Sequence, residues 1–290
     1  MIVEKKNHLT GHTNSVYGLY QTSCENFISA GGDGKIVEWN INNDTTSKLL
    51  ASHNEQLFCL IMYDDKILIS GSMYGKVVLL DVVNKLEIKT IQLCQQAIYC
   101  LIVIDKKLYV ATGSGELCVI DMQTLDIIAQ QQVSLKALRC MVLHNGYLCV
   151  GSSNGSIYIL DLLTLKTKSI LEGHSLSVFS LISYSTLLIS GSRDAQIKIW
   201  ENDLLKNSIA AHISTINALS LNTSNTLLAS ASRDKTIKIW DTKSFNLLKV
   251  IDKNRYDAHQ YSVNNCMWMN DTLLITCSDD KNILGFEIKL

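Results

Sequence analysis

Short apolar runs recur along the whole chain, and turn-forming residues separate them at intervals of about 8 to 12 positions. In one stretch the pattern predicts four strands, near residues 215–221, 227–232, 236–240 and 247–251. Runs of this length indicate small antiparallel sheets rather than helices. The longest apolar run, residues 97–104, is much shorter than the ~18 residues that a membrane span requires. We therefore expect an all-β fold without a membrane-crossing segment.

The strand pattern repeats with a period of about 40 residues. The segments Ile197–Trp200 and Ile237–Trp240 are 40 residues apart, and units end near residues 39, 80, 120, 160, 200, 240 and 286. Seven units, each with four predicted antiparallel strands, are the pattern of a seven-bladed β-propeller. Proline is absent and no low-complexity stretch marks a boundary, so we expect one domain over residues 1–290.

Four of the units carry a recurring set of histidine, serine or threonine, aspartate and aromatic residues. The fifth unit has Gly173-His174, Ser190, Asp194 and Trp200, and the sixth has His212, Ser230, Asp234 and Trp240-Asp241. The first unit keeps Gly11-His12, Ser29, Asp33 and Trp39, and the seventh keeps His259, Thr276 and Asp280 with Phe286 in place of tryptophan. Units two to four have drifted, since Tyr74, Ser114 and Asn154 occupy the position of the turn aspartate. Through these motifs the chain resembles the WD40-repeat family over its whole length.

The resemblance implies that an N-terminal strand completes the last blade. Residues 2–9 precede Gly11-His12 where the family places the outer strand of the preceding blade. We expect this segment to pair with the seventh unit and so to remove an exposed sheet edge.

The resemblance also implies that the recurring His, Ser or Thr, and Asp residues are structural. In the family the tryptophan N–H donates to the serine, the serine bonds the histidine, and the histidine bonds the turn aspartate, so each buried polar group has a partner. A catalytic triad would instead need one exposed nucleophile beside an oxyanion hole. The residues that we assign to these structural networks are His12, Ser29, Asp33, Trp39, His174, Ser190, Asp194, Trp200, His212, Ser230, Asp234, Trp240, His259, Thr276 and Asp280.

We find no motif for catalysis, metal or cofactor. The glycine segments Gly31–Lys35 and Gly71–Lys76 lack P-loop spacing and join two strands, so we expect them to be turns. Cys59, Cys100 and Cys140 recur at one repeat position, which indicates packing of a small side chain. No C-x-x-C or H-E-x-x-H motif occurs.

Charge and cysteine usage limit the possible partners. Lys and Arg number 26 and Asp and Glu 27, which argues against direct binding to nucleic acid or to an anionic membrane. Nine cysteines, an odd number, lie mostly in strand-like runs, and the N-terminus lacks a secretory signal pattern. We therefore expect free thiols and a cytoplasmic location, and a monomer when the protein is on its own.

The family binds partners mainly on its top face, at positions fixed relative to the histidine and the turn aspartate. Carried over residue by residue, these positions hold an aromatic and methionine arc in units one to three and a basic arc in units four to six. Three of the four arginines of the chain occupy them, and the fourth lies in a loop, residues 252–257, that we also expect on the top face. The candidate partner-binding residues are Tyr17, Phe58, Met73, Tyr99, Arg139, Phe179, Arg193, Asn217, Arg233, Arg255, Asn264 and Asp279.

The leading hypothesis is a non-enzymatic scaffold that binds a protein or peptide segment with an acidic or phosphorylated group beside a hydrophobic anchor. The alternatives are a subunit of a ribonucleoprotein assembly and a propeller enzyme. A ubiquitin-ligase receptor loses support because Trp240-Asp241-Thr242-Lys243 has lysine where that class usually has arginine. The alternative to a binding role for the arginines is that they are ordinary turn residues exposed to solvent.

Overall fold

The computed structural model describes residues 1–289, and for residues 44–46 it describes the backbone only. This part of the chain forms 28 strands and one short helix, and the strands make seven antiparallel sheets of four. Its contacts divide into two compact units. The central unit is Phe58–Ala211, and the terminal unit contains the rest of the described chain. No helix within residues 1–289 has the length and apolar character needed to cross a bilayer.

The terminal unit contains blades 1, 6 and 7. Blade 1 consists of β2 (Val16–Gln21), β3 (Asn26–Gly31), β4 (Lys35–Asn40) and β5 (Asn43–Ser52). Blade 6 consists of β22 (Ile216–Leu221), β23 (Leu227–Ser232), β24 (Ile237–Asp241) and β25 (Leu247–Ile251). Blade 7 consists of β26 (Val263–Trp268), β27 (Leu273–Ser278), β28 (Ile283–Lys289) and β1 (Ile2–Leu9).

The central unit contains blades 2 to 5; the division from the terminal unit falls within the first strand of blade 2. Blade 2 consists of β6 (Leu57–Met62), β7 (Ile67–Ser72), β8 (Lys76–Asp81) and β9 (Leu86–Gln92). Blade 3 consists of β10 (Ile98–Ile104), β11 (Lys107–Thr112), β12 (Glu116–Asp121) and β13 (Ile127–Gln132). Blade 4 consists of β14 (Leu138–His144), β15 (Tyr147–Ser152), β16 (Ile157–Asp161) and β17 (Thr167–Leu171). Blade 5 consists of β18 (Val178–Tyr184), β19 (Leu187–Ser192), β20 (Gln196–Glu201) and β21 (Leu204–Ala210).

The N-terminal strand completes blade 7, as predicted. Strand β1 is antiparallel to β28, and Val3 faces Ile288 in the register. Its alternating burial, with Val3 and Leu9 inside, matches a strand that has one face on the core. The strand supplies the outer edge of blade 7, a position that each other blade fills with its own fourth strand.

The core lies between neighbouring blades. Second and third strands are buried on both faces, as in β23 and β27, where every residue is buried. Fourth strands are largely exposed, as in β21. In the terminal unit one apolar cluster joins blades 6 and 7 and another joins blades 7 and 1. In the central unit three clusters join blades 2 to 5 pairwise. Continuous apolar runs are therefore expected in the middle strands.

The predicted loop at residues 252–257 contains one helical turn, α1 (Lys253–Tyr256). Asp252 caps it by accepting a hydrogen bond from the Arg255 N–H, and Asp257 ends it in the left-handed conformation. The Lys5 ammonium donates to the Asp257 carboxylate at 2.7 Å, and this hydrogen bond connects the helical turn to β1. The turn accounts for the long last spacing of the repeat.

Candidate functional site

Four blades contain a buried chain of hydrogen bonds that ends on the turn aspartate. In blade 5 the Trp200 Nε1–H donates to Ser190 Oγ at 2.8 Å, Ser190 Oγ lies 2.7 Å from His174 Nε2, and His174 Nδ1 lies 2.8 Å from Asp194. Blade 1 has the same chain through Trp39, Ser29, His12 and Asp33. Blade 6 has it through Trp240, Ser230, His212 and Asp234. Blade 7 has His259, Thr276 and Asp280 without an indole donor.

The chain of blade 6 fits a neutral histidine. With the proton on Nδ1, His212 donates to Asp234 and its Nε2 accepts from the Ser230 hydroxyl, which in turn accepts from Trp240. Burial lowers the pKa of His212, although Asp234 opposes that shift. Burial alone would raise the pKa of the Asp234 carboxyl, but hydrogen bonds from His212 and Thr236 outweigh it and hold that pKa well below its usual value.

The serines of these chains cannot act as nucleophiles. Ser29, Ser190 and Ser230 have no exposed surface, and each accepts an indole N–H. A hydrolytic serine must reach a substrate carbonyl from an open site. The four chains therefore act as ties between a loop and the second and third strands of a blade.

The drifted blades show what remains when the aspartate is lost. In blade 2, Ser70 Oγ is buried without a hydrogen-bond partner among the described residues, and Tyr74 is exposed. In blade 3, Ser114 bonds locally to Thr112 and Glu116. In blade 4, Asn154 bonds the Tyr158 hydroxyl. In the described part of the chain, neither Ser114 nor Asn154 receives a hydrogen bond from a histidine.

A β-bulge positions most of the predicted top-face side chains. In six blades the pairing of the first and second strands skips one residue directly after the first pair. The skipped residues are Tyr17, Tyr99, Arg139, Phe179, Asn217 and Asn264. An extra residue in one strand re-aims its side chain out of the regular alternation. The bulges therefore explain why these six positions can leave the blade core.

In the central unit four of the candidates form a continuous stack, which we call the ladder: Phe58, Tyr99, Arg139 and Phe179. The rings of Phe58 and Tyr99 are 5.7 Å apart between centroids. The Arg139 guanidinium carbon lies 4.0 Å from the Tyr99 ring centroid and 5.2 Å from that of Phe179. The ladder thus crosses four blades. The sequence analysis placed Arg139 in a separate basic arc, and the structure corrects this by holding it between the rings of Tyr99 and Phe179, because its bulge turns it towards them.

Arg139 retains hydrogen-bonding capacity in the ladder. Its Nε donates to Ser153 Oγ at 2.8 Å. The Ser177 hydroxyl in turn donates to the Ser153 carbonyl at 3.1 Å and so holds Ser153 in place. Among the side chains that the structure describes, no carboxylate lies within 4.0 Å of the Arg139 side chain. Its two terminal nitrogens can therefore donate to an incoming anion.

The predicted arginines of the turns stand apart from the ladder. Arg193 and Arg233 are exposed, and their backbone N–H groups donate to Ser177 and Thr215. Met73 is also an exposed turn residue. Arg255 lies on α1 and pairs with Asp252 at 2.7 Å. The structure does not bring Arg255 together with the other arginines, because α1 lies against the outer strand β1.

In the terminal unit the corresponding positions are polar and already bonded. Asn217 donates to the Val263 carbonyl at 2.8 Å, and Asn264 donates to the Val16 carbonyl at 3.1 Å and to Asp279 at 2.8 Å. These amides tie each inner strand to the next blade. Tyr17 is half-buried. Asn217 and Asn264 therefore read as structural side chains.

Two exposed leucines near the ladder were missed by the sequence analysis. Leu135 is 91% exposed and Leu176 is 44% exposed, and each lies in the loop that enters the inner strand of its blade. The Leu176 carbonyl accepts from Ser192, next to Arg193. Each follows the histidine position of its repeat by one or two residues, which is the signal that could have revealed them.

The cysteines and glycines that the sequence analysis singled out have structural roles. Within residues 1–289 no group of three His, Cys, Asp or Glu side chains is arranged to hold a metal ion. Cys59 and Cys140 donate to the carbonyls of Ile98 and Val178 on neighbouring inner strands. Gly34 and Gly75 adopt φ of 72° and 78° in tight turns, as expected for turns and not for phosphate loops.

The comparisons with known proteins agree with this geometry. The family model for the WD domain, G-beta repeat, matches residues 3–40, 165–201 and 204–241. Each match contains the outer strand of one blade and three strands of the next. The crystal structure of the WD40 beta propeller domain of Doa1 is similar at a TM-score of 0.87 and 16% identity, over 99% of this chain and 97% of that chain. No curated protein gives a significant match. The predicted fold, a propeller of seven four-stranded blades, is confirmed.

Proposed function

Because the chain belongs to the WD40-repeat β-propeller family, we propose that it is a non-enzymatic scaffold that binds a polypeptide segment. WD40 propellers are typically interaction scaffolds and are usually non-catalytic. The proposed segment carries a carboxylate or phosphate group next to a hydrophobic side chain. The observation that carries this proposal is Arg139, held between Tyr99 and Phe179 with its terminal nitrogens free of carboxylates.

The ladder has the composition of an interaction hot spot. Arginine and aromatic residues are enriched where binding energy concentrates, and a guanidinium fixed on aromatic faces loses little freedom when it binds. Ser153 accepts from Nε, so the two terminal nitrogens of the guanidinium remain to donate to a carboxylate or phosphate in a bidentate manner. The exposed Leu135 and Leu176 lie in the loops that enter β14 and β18, the strands of Arg139 and Phe179, and the exposed Lys136 follows Leu135 in its loop.

A reducing compartment, the cytoplasm, is part of the proposal. Five cysteines are buried, and burial raises the pKa of Cys118 to about 11 and that of Cys149 and Cys266 to about 12. Thiols of this kind act as small packing groups and are unreactive.

A peptide library tests the proposed function. The library carries serine, aspartate or phosphoserine at a fixed central position, with random flanks, and is probed with wild-type protein and with Arg139→Gln. We expect selection of one anionic series with a hydrophobic neighbour, and loss of that selection in Arg139→Gln. Equal capture of all three series by the wild type would refute the proposal.

Lys66→Gln is the matched control, because Lys66 is an exposed cation in the turn at the opposite end of blade 2. Lys106 is unsuitable, since its φ of 61° means that a substitution would also strain the turn.

A further inference from the structure

A cavity of about 300 Å³ opens between blades 4 and 5 of the central unit. It lies at the strand ends opposite the ladder, beside the turn after β14 and the turn after β20. Its floor is apolar and includes Cys149, Ile159, Leu171 and Leu188. Its volume is at the lower end of the range of ligand pockets, about 300–1,000 Å³.

The cavity exists because one turn of blade 5 is short. In blades 3 and 4 the connection between third and fourth strands is long and presents a leucine in the left-handed conformation, Leu125 at φ 60° and Leu165 at φ 57°. In blade 5 strand β20 ends at Glu201 and β21 begins at Leu204. Only Asn202 and Asp203 connect them, and blade 5 has no leucine at that place.

The missing leucine would occupy the cavity. Leu165 is buried in a cluster with Tyr109 and Val119, which face each other across β11 and β12 of the preceding blade. The equivalent facing pair in blade 4 is Cys149 and Ile159, and both line the cavity. The preceding groove therefore shows what fits this one, a leucine-sized side chain presented on a turn.

The mouth of the cavity carries groups suited to a polypeptide backbone. The Lys168 ammonium rests 3.9 Å from the Tyr147 ring centroid, and Asp203 accepts from Ser169 at 2.8 Å. Asp203 has no cationic partner within 4.0 Å among the described residues. Between blades 2 and 3 the Lys89 ammonium donates to the Leu125 carbonyl at 2.7 Å, so an outer-strand lysine can bind the backbone of a turn leucine.

We propose that this cavity is a docking site for a leucine or phenylalanine residue of a protein partner. The side chain fills the place of the missing leucine, the residue's carbonyl accepts from Lys168, and its N–H donates to Asp203. His144 and Asn145 complete the rim, where Asn145 donates to His144 at 3.1 Å and His144 contacts Ser183 at 2.8 Å. The site is separate from the ladder and does not depend on the function proposed for it.

Methyl-detected NMR of the full chain tests the site with N-acetyl-leucinamide and N-acetyl-phenylalaninamide as probes. We expect saturable shifts at the methyl groups of Ile159, Leu171 and Leu188 and none at Leu125. N-acetyl-glycinamide, which lacks a side chain, serves as the control probe. Equal shifts with all three probes, or no shifts, would overturn the proposal.

Two variants make the test specific. Replacement of residues 201–204 by a copy of residues 161–166 supplies the missing leucine, and should abolish the shifts and raise the melting temperature. Asp203→Asn, which keeps a residue that tolerates the left-handed turn, should weaken binding several-fold; unchanged binding would overturn the assigned hydrogen bond. Lys206→Ala, outside the cavity, should change nothing. Saturable binding of phenethylammonium without binding of the amides would mark a small-molecule site and overturn the polypeptide assignment.

Discussion

The Arg139 guanidinium stacks on the Tyr99 ring at 4.0 Å, and this contact links two blades through their bulged residues. If the bulges only interrupted strand pairing, their side chains would not need to contact each other. The stack holds a cation in place before any partner arrives, which lowers the entropy cost of binding.

Substitutions in the ladder should separate the contribution of the arginine charge to peptide binding from that of the buried aromatic area. Arg139→Gln should weaken binding of the selected anionic peptide by about tenfold or more, because hydrogen bonds to charged groups contribute roughly 1.5–3 kcal/mol. It should also flatten the salt dependence. Tyr99→Ala should weaken binding and leave a salt dependence. Titration calorimetry at two salt concentrations checks both, and a salt slope unchanged by Arg139→Gln would contradict the assignment.

The buried chains should dominate local stability. Asp194→Ala leaves His174 and the Ser175 N–H without their acceptor and should cost about 1–3 kcal/mol of unfolding free energy. Tyr74→Ala, at the same repeat position in blade 2, should cost less, since Tyr74 is exposed. Urea unfolding measures both. Equal losses would show that the aspartate has no structural role.

Ser70 offers the opposite test. Its hydroxyl is buried and has no hydrogen-bond partner in the described chain, so Ser70→Ala removes a desolvated polar group. We expect Ser70→Ala to be neutral or stabilising, whereas Ser190→Ala, which removes the acceptor of Trp200, should be destabilising by about 1–3 kcal/mol. A large loss in Ser70→Ala would reveal a bound water or a partner for that hydroxyl.

Acid should destabilise the fold through the same chains. The pKa of His212 is lowered from 6.5, so its neutral form stabilises the folded state above that pH and the contribution is lost as pH falls. The pKa of Asp234 is lowered from 3.8, and its contribution is lost as pH falls below that value. Unfolding free energy should therefore decrease from pH 7 to pH 3. Asp234→Asn should be less stable at pH 7 and should lose less between pH 5 and pH 3.

Deletion of residues 1–9 should destabilise the protein strongly. The deletion removes buried Val3 and Leu9 and leaves β28 as an exposed edge, which favours aggregation. We expect a lower melting temperature and soluble aggregates on size-exclusion chromatography. The control Ile2→Ser changes a side chain that is 62% exposed and should leave both measurements unaltered.

The sequence predicts the fold well because its signals are local and repeated. The 40-residue period, the strand runs and the Trp, Ser, His and Asp positions all depend on spacing within one blade. What depends on contacts between blades could not be derived in this way. The position of Arg139 between Tyr99 and Phe179 requires three bulges, and the cavity beside Cys149 requires a comparison of turn lengths in three dimensions. The helical turn that contains Arg255 was also not predicted, since the sequence analysis expected a loop there.

The pairing of β1 with β28 has a consequence for how the chain is made. Val3 pairs with Ile288, and almost all of the described chain lies between these two partners. Contacts between residues so distant in sequence form slowly, since loop closure must precede them. Blade 7 must therefore stay open until β28 has been synthesised, while the four blades of the central unit can each form from contiguous sequence. Until then the nascent chain exposes Val3 and Leu9 of β1, which are buried in the folded protein, and this makes the segment a target for chaperones.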